Sequence, residues 1–323
     1  MKIEQWWHGV ALALILAGAS AASAQGYPAH SIRLVVPSSP GGGTDISARI
    51  IAPRLTEYLG QQVVVDNRPG AGTMIGGEIV ARAAPDGYTL LMGISTLAIN
   101  PAIYRKVPYD ALRDLAPISQ AVSLPNVIVS HPTLPAKNVK ELIAFAKSRP
   151  GQVNFASAGV GTSPHLSMEL FLVMAGLKMV HVPYKGSGPG AVDTVAGHVM
   201  LMAPNILTAL PYIRNGRLRA YGVTSAKRAA GAADIPTIAE SGLPGYEAVQ
   251  WYGVLAPAGT PRAVVDRLHA ATVKALQQND VREKLSTDGA EPIGSSPEEF
   301  GAYIKAETIK WAKVVKSAGI GAD

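Results

Sequence analysis

Apolar positions follow two different periods along the chain. Short β-branched runs read as strands at residues 32–36, 63–65, 89–92, 127–129, 153–156, 179–182, 199–202 and 218–223. Between many of them apolar residues recur at helical spacing, which predicts helices over 45–59, 75–83, 139–148, 163–175, 191–196 and 208–215. This alternation predicts an α/β protein with mostly parallel sheets covered by helices. The last third differs: one strand at 251–256, then long amphipathic helices over 261–278 and 297–317. Pro261 suits a first helical turn. Ser296 reads as a cap before Pro297, Glu298 and Glu299, acids that favour a helix start. Pro53 removes the hydrogen bond to the Arg49 carbonyl and predicts a kink in the first helix.

Two stretches interrupt this order, Ser123-Leu124-Pro125-Asn126 and the Gly/Pro-rich residues 241–246. Read as crossings, they divide the chain into a discontinuous lobe of 25–126 plus 251–323 and a second lobe of 127–250. Such a two-hinge plan suits a protein that closes on a ligand. Residues 1–24 read as a cleavable signal peptide. Lys2 gives a positive start, Val10 to Ala19 an apolar run, and Ala22-Ser23-Ala24 a cleavage site before Gln25. The run is shorter than the roughly 20 residues that span a bilayer. Export to a periplasm is the expectation.

Chemistry enters at two matched loops. Pro37-Ser38-Ser39-Pro40-Gly41-Gly42-Gly43-Thr44 follows the first strand and opens a helix. Ser157-Ala158-Gly159-Val160-Gly161-Thr162-Ser163 does the same in the second half. Glycines allow close backbone approach, and the free N–H groups of a helix start attract anions. Thr44, Thr162 and Ser163 add hydroxyls, although Thr44 and Ser163 also read as ordinary N-caps. A third loop, Asn67-Arg68-Pro69-Gly70-Ala71-Gly72-Thr73, again joins strand to helix, with Gly70 and Gly72 shaping a backbone-amide site. Arg68 reads either as an anion partner or as a solvated loop charge.

Composition narrows the chemistry further. The 323 residues are 48% hydrophobic and 16% charged, too apolar for a disordered chain. The absence of cysteine excludes disulfides, thiolate metal sites and thiol catalysis. The net charge of +6 is dispersed, which argues against nucleic-acid binding and leaves a bias toward small anions. The seven histidines show no metal-binding spacing, so no metal is expected. The glycine loops fit neither a dinucleotide fingerprint nor a Walker A loop, so no cofactor is expected. No nucleophile–base pair can be assembled from His165 or His181, so no catalytic residue is assigned; His165 reads as a packing or capping residue.

Eight segments in order carry a family likeness. They include P-S-S-P-G-G-G-T-D (37–45), L-G-Q-Q-V-V-V-D-N-R-P-G-A-G (59–72), A-A-P-D-G-Y-T-L-L-M-G (83–93) and N-F-A-S-A-G-V-G-T-S-P-H-L (154–166). V-P-Y-K-G-S-G-P-G-A-V-D (182–193), G-R-L-R-A-Y-G-V-T-S (216–225), D-I-P-T-I-A-E-S-G-L-P-G-Y-E (234–247) and W-Y-G-V-L-A-P-A-G-T-P (251–261) complete the set. The chain resembles the Bug family, the periplasmic substrate-binding proteins of tripartite tricarboxylate transporters. The resemblance implies a two-lobed, Venus-flytrap α/β receptor, monomeric, with a mostly parallel sheet in each lobe and a small organic anion in the cleft. Its partners would be the membrane subunits of the transporter. First-lobe contacts implied are Ser38, Ser39, Gly42, Gly43, Thr44, Gly70, Gly72, Ser95 and Thr96. Second-lobe contacts implied are Ser157, Gly159, Thr162, Ser163, Tyr184, Lys185 and Asp193.

Three positions depart from the family pattern: Ala233 stands where proline is common, and the other two bear on the ligand. Met200 and Pro204 stand where acids are common. If they face the cleft, their loss removes acceptors for an ammonium group and Met200 offers an apolar contact. The expected ligand is then a mono- or dicarboxylate, aromatic acids included, over an amino acid. The same closed surface could instead present the ligand to a signalling partner. A periplasmic hydrolase of anionic esters is the remaining alternative.

Overall fold

The computed structural model describes residues 26–287 and 289–318, with side chains through Lys316. The signal-peptide segment lies outside the described residues. Eleven described strands form two sheets. The first contains β1 (Ile32–Val36), β2 (Val63–Asn67), β3 (Thr89–Ile94), β4 (Leu115–Pro125), β10 (Val249–Pro257) and β11 (Glu291–Pro292), ordered β11-β4-β10-β3-β1-β2. The second contains β5 (Val127–Ser130), β6 (Asn154–Ser157), β7 (Val180–Pro183), β8 (Leu201–Met202) and β9 (Arg219–Val223), ordered β7-β6-β8-β5-β9.

Helices α1 (Gly43–Leu59), α2 (Met74–Ala81) and α3 (Thr96–Ile103) follow β1, β2 and β3. Around the second sheet lie α4 (Val139–Lys147), α5 (Ser163–Ala175), α6 (Ser187–Val195) and α7 (Ile206–Arg214). Then α8 (Arg262–Leu276), α9 (Asn279–Thr287) and α10 (Pro297–Ala318) return to the first sheet. Ser296 does cap α10: its Oγ accepts from the Glu299 N–H at 3.2 Å while Glu299 accepts from the Ser296 N–H at 2.9 Å. Helix α1 runs through Pro53 as one helix.

The sheets are mixed rather than mostly parallel. β1 pairs in parallel with β2 and β3, but β10 runs antiparallel to both β3 and β4. In the second sheet β6 pairs in parallel with β7 and β8, while β5 is antiparallel to β8 and β9. The strands leading from one sheet to the other, β4 into β5 and the return into β10, supply the antiparallel pairs.

The two passages between the sheets lie side by side. Asn126 donates its N–H to Thr224 Oγ1 at 2.8 Å, and the Thr224 carbonyl accepts from Ala248 N–H at 2.8 Å. Pro125 pairs with Val249 directly beyond. Each sheet keeps apolar packing of its own. Trp251 and Phe300 are fully buried, their rings edge-to-face at 5.4 Å and 88°. Burying such a side chain contributes about 1.5–3 kcal/mol, and it fastens α10 to the first sheet. Phe155, Phe171 and Leu142 fill the space between the second sheet and its helices.

Candidate functional site

A cavity lies between the two sheets at the ends of their strands, where open α/β sheets place ligands. Its walls come from both sequence halves. The first side contributes Ser38, Gly42, Gly43, Thr44, Gly70, Gly72, Thr73, Gln250 and Tyr252; the second contributes Ala158, Thr162, Pro164, Tyr184, Lys185, Ser187 and Asn205. It leaves about 60 Å³ in which the centres of water-sized groups fit. That is room for about four to six such groups, the scale of a short organic acid.

Several helix starts converge here. Gly42 precedes α1, Thr162 precedes α5 and Gly186 precedes α6, and none of the three helices has a side-chain cap on its first turn. Each start carries about half a positive charge. Asn205 precedes α7 and accepts from the Thr208 N–H at 3.0 Å. Lys185 is the one charged residue among those lining the cavity, and no carboxylate lines it. The electrostatics therefore favour an anion.

Two lining side chains have buried polar atoms without hydrogen-bond partners, Ser38 Oγ and Gln250 Oε1, while the Tyr252 hydroxyl adjoins Thr44. Tyr252 is fully buried, and that burial pushes its phenol above the ordinary value, so it remains a donor. A buried polar atom without a partner costs about 1–3 kcal/mol. A bound solute can remove that cost.

The 70–73 turn is strained. Ala71 has φ 47° and Thr73 φ 77°, left-handed values that are unfavourable for a β-branched residue. Such backbone costs on the order of 1–3 kcal/mol per residue and collects at binding sites. Two contacts with α3 hold it: Thr73 and Thr96 hydroxyls lie 2.5 Å apart, and Asn100 donates to the Gly72 carbonyl at 3.0 Å.

Of the residues expected from sequence, Ser38, Gly42, Gly43, Thr44, Gly70, Gly72, Thr162, Tyr184 and Lys185 line the cavity. The other seven sit off its wall, and all but Ser95 have an identifiable task. Ser39 donates across the lobes to the Lys185 carbonyl. Ser95 is fully buried at the start of α3, and Thr96 supports Thr73. Gly159, at φ 126°, shapes the second loop against the Tyr184 carbonyl. Ser163 accepts from the Asn126 side chain at 2.8 Å, beside the passage between lobes. Asp193 accepts from the Tyr184 hydroxyl at 2.6 Å, a bond that holds its carboxyl below the usual range with help from His198.

The seventh, Ser157, corrects the view that no nucleophile–base pair exists. Its Oγ lies 2.6 Å from His181 Nε2. It is fully buried and off the cavity wall, so this pair does not face a solute.

For Met200 and Pro204, which the sequence left open, the structure favours packing. Met200 packs against the apolar core of the second sheet, and the Pro204 carbonyl accepts from the Val127 N–H; neither lines the cavity. Arg68 pairs with Asp66 at 3.0 Å in the loop. Asp45 is buried and engaged by Arg49, Asn67 and the Gly41 N–H at 2.9–3.0 Å. Gln250, Tyr252, Asn205, Thr73 and Ser187 were not anticipated as lining residues.

The model for the tripartite tricarboxylate transporter family receptor matches residues 47–320. The chain belongs to this receptor family. Protein BugT of Bordetella pertussis is 40% identical over 303 residues, covering 93% of each chain. Among solved structures, the periplasmic binding protein BugD superposes with a TM-score of 0.89 at 35% identity, covering 92% of this chain and 100% of its own. The R. palustris protein Rpa4515, solved with adipate, gives 0.89 at 38% identity and the same coverage. MatC of Rhodopseudomonas palustris, with bound malate, gives 0.86 at 33% identity, covering 90% and 100%. The tripartite tricarboxylate receptor architecture is thus a two-lobed solute-binding fold, and the cavity described above lies between the lobes.

Proposed function

We propose that this receptor captures a short organic carboxylate between its lobes and delivers it to the membrane subunits of a tripartite tricarboxylate transporter. One observation carries the reading: three uncapped helix starts and Lys185 meet at a cavity whose lining contains no carboxylate. Ser38 supplies a further hydroxyl without an internal partner. The relatives solved with adipate and malate support this ligand class.

Residues 25–126 with 251–323 act as one lobe and 127–250 as the other, turning about the Asn126–Thr224–Ala248 passage. The solute selects the closed state because only that state offers both walls at once. Charge-assisted hydrogen bonds of about 1.5–3 kcal/mol each, with three or four made, offset the cost of association and give micromolar binding. The protein works as a monomer in the periplasm after loss of residues 1–24. It binds without turnover, consistent with a Ser157–His181 pair that is sealed from the cavity.

A thermal-shift and calorimetry panel of mono-, di- and tricarboxylates tests this. Lys185→Met is expected to weaken the best ligand by about tenfold, the loss of one charge-assisted contact. Undiminished binding by Lys185→Met would show that the electropositive wall does not hold the solute.

A further inference from the structure

Beneath the second-lobe loop lies a pair of histidines that solute binding itself does not use. His165 sits in the first turn of α5, 5% exposed, and His181 lies on β7. Their rings stack at 3.9 Å between centroids and 15° between planes, with Phe155 continuing the stack. Each ring fixes one part of the 157–162 loop. His165 Nδ1 accepts the Gly161 N–H at 3.1 Å. His181 Nε2 meets Ser157 Oγ at 2.6 Å, and that same Oγ accepts the Gly159 N–H at 3.0 Å. Ala158 and Thr162 of this loop line the cavity.

One hydrogen bond fixes the protonation state of His165. His165 can accept from Gly161 only if Nδ1 carries no proton, so its proton is on Nε2, which faces Glu169 at 3.3 Å. Ser157 Oγ receives the Gly159 N–H, lies 3.2 Å from the Gly159 carbonyl as a donor and meets His181 Nε2 at 2.6 Å, so it ties His181 to both polar groups of Gly159. The charged or titratable neighbours are few. Glu169 faces His165 from its own helix, and each histidine faces the other across β7 and α5; β6 presents only Phe155 and Ser157. Among the described residues no other ion pair reaches either ring.

We propose that the His165–His181 stack is a proton-sensitive positioning element that holds the second-lobe loop in its binding geometry when neutral and releases it when His165 gains a proton. A proton on Nδ1 turns the acceptor of the Gly161 N–H into a donor, and the two N–H groups then oppose each other. Glu169, 3.3 Å from Nε2, is placed to pair with the charged ring. Burial and the neighbouring His165 hold His181 down at about 3, so His181 stays neutral in mild acid. The consequence for the cleft rests on the receptor reading above: Thr162 and Ala158 shift with the loop and the solute is held less tightly at low pH.

The test has an arm that needs no solute. In the ligand-free protein, the Gly161 amide resonance and the His165 imidazole nitrogens are followed by NMR from pH 7.5 to 5. The Gly161 amide is expected to move with the His165 titration and to stay fixed in His165→Asn, whose Oδ1 keeps an acceptor near the Nδ1 position. A Gly161 signal indifferent to His165 protonation would overturn the proposal. The second arm measures adipate affinity at pH 7.5 and 5.5. Wild type is expected to lose about tenfold more affinity than His165→Asn, the cost of one hydrogen bond on the loop. Since both proteins meet the same adipate, equal losses would overturn the link from histidine to grip. Absence of adipate binding at both values would count against the receptor reading for this acid, while the Gly161 signal still judges the histidine pair by itself.

Discussion

The Ser39 hydroxyl donates to the Lys185 carbonyl oxygen, joining two residues 146 positions apart across the cleft. The bond exists only when the lobes are together, and it lies on the residue that carries the cavity's one charge. Closure and anion capture therefore share a backbone segment. Tyr104 OH adds a second tie, donating to the Val160 carbonyl at 3.1 Å. Ser39→Ala is expected to lower solute affinity by about three- to tenfold, the value of one internal hydrogen bond. Melting of the ligand-free protein should change little if its lobes stand open. Calorimetry beside a melting curve checks both halves of the statement.

Gly188 separates closure from stability. A Cβ there would lie 2.6 Å from the Pro40 carbonyl oxygen of the opposite lobe. The Gly188 backbone is not in the left-handed region, so alanine is tolerated at this position of α6. Gly188→Ala should thus melt no lower than wild type yet bind solute more weakly. Solution scattering with saturating ligand should show no contraction of this variant. A variant that contracts normally would place the lobes further apart at this point than described.

Two hydroxyls on the cavity wall predict opposite behaviour. Thr162 Oγ1 donates to the Gly159 carbonyl at 2.6 Å, so its proton already serves the loop. Ser38 Oγ has no partner. Thr162→Val should lower stability by about 1 kcal/mol. Ser38→Ala should leave melting unchanged and cost about 1–3 kcal/mol of binding. Affinity and melting temperature measured for both variants decide it; identical profiles would contradict the assignment.

Much of this site is legible in the chain because its parts are local. Gly41 to Thr44 and Gly159 to Thr162 stand directly between strand and helix patterns, so their place at strand ends follows from periodicity alone. Gln250 and Tyr252 were not legible: they sit on β10, where alternation with Trp251 reads as core, and only the packing of β10 between β3 and β4 exposes one end to the cleft. The Ser157–His181 contact spans 24 residues and exists because β6 and β7 pair in parallel. Whether Met200 and Pro204 face the cleft stayed open for a related reason, since sequence does not tell which face of a short strand meets a helix. Helix α3 contains Pro101, and strand β4 contains Pro117 and Pro125; these prolines concealed both elements.

Stability should depend on pH through His181. Burial, then the neighbouring His165, lowers its value to about 3 from the usual 6.5. Between those values the unfolded chain binds the proton and the folded chain does not. Stability is therefore full above about 6.5 and declines as pH falls toward 3. Melting temperature measured from pH 7 to 4 should fall for wild type and fall less for His181→Gln. An identical slope in the two proteins would assign the acid sensitivity to other groups.

The central claim, a cleft built for a carboxylate without an ammonium group, is tested most directly by calorimetry with matched solutes on the chain from Gln25 onward. Succinate against aspartate is the sharpest pair. Asp45 and Asp193 are both engaged elsewhere, and no carboxylate lines the cavity, so a buried ammonium finds no anionic partner. Succinate, or adipate in the same comparison with its amino derivative, is expected to bind at least about tenfold more tightly, since an unpaired buried charge costs more than one hydrogen bond. A tenfold preference for the amino acid would contradict the account.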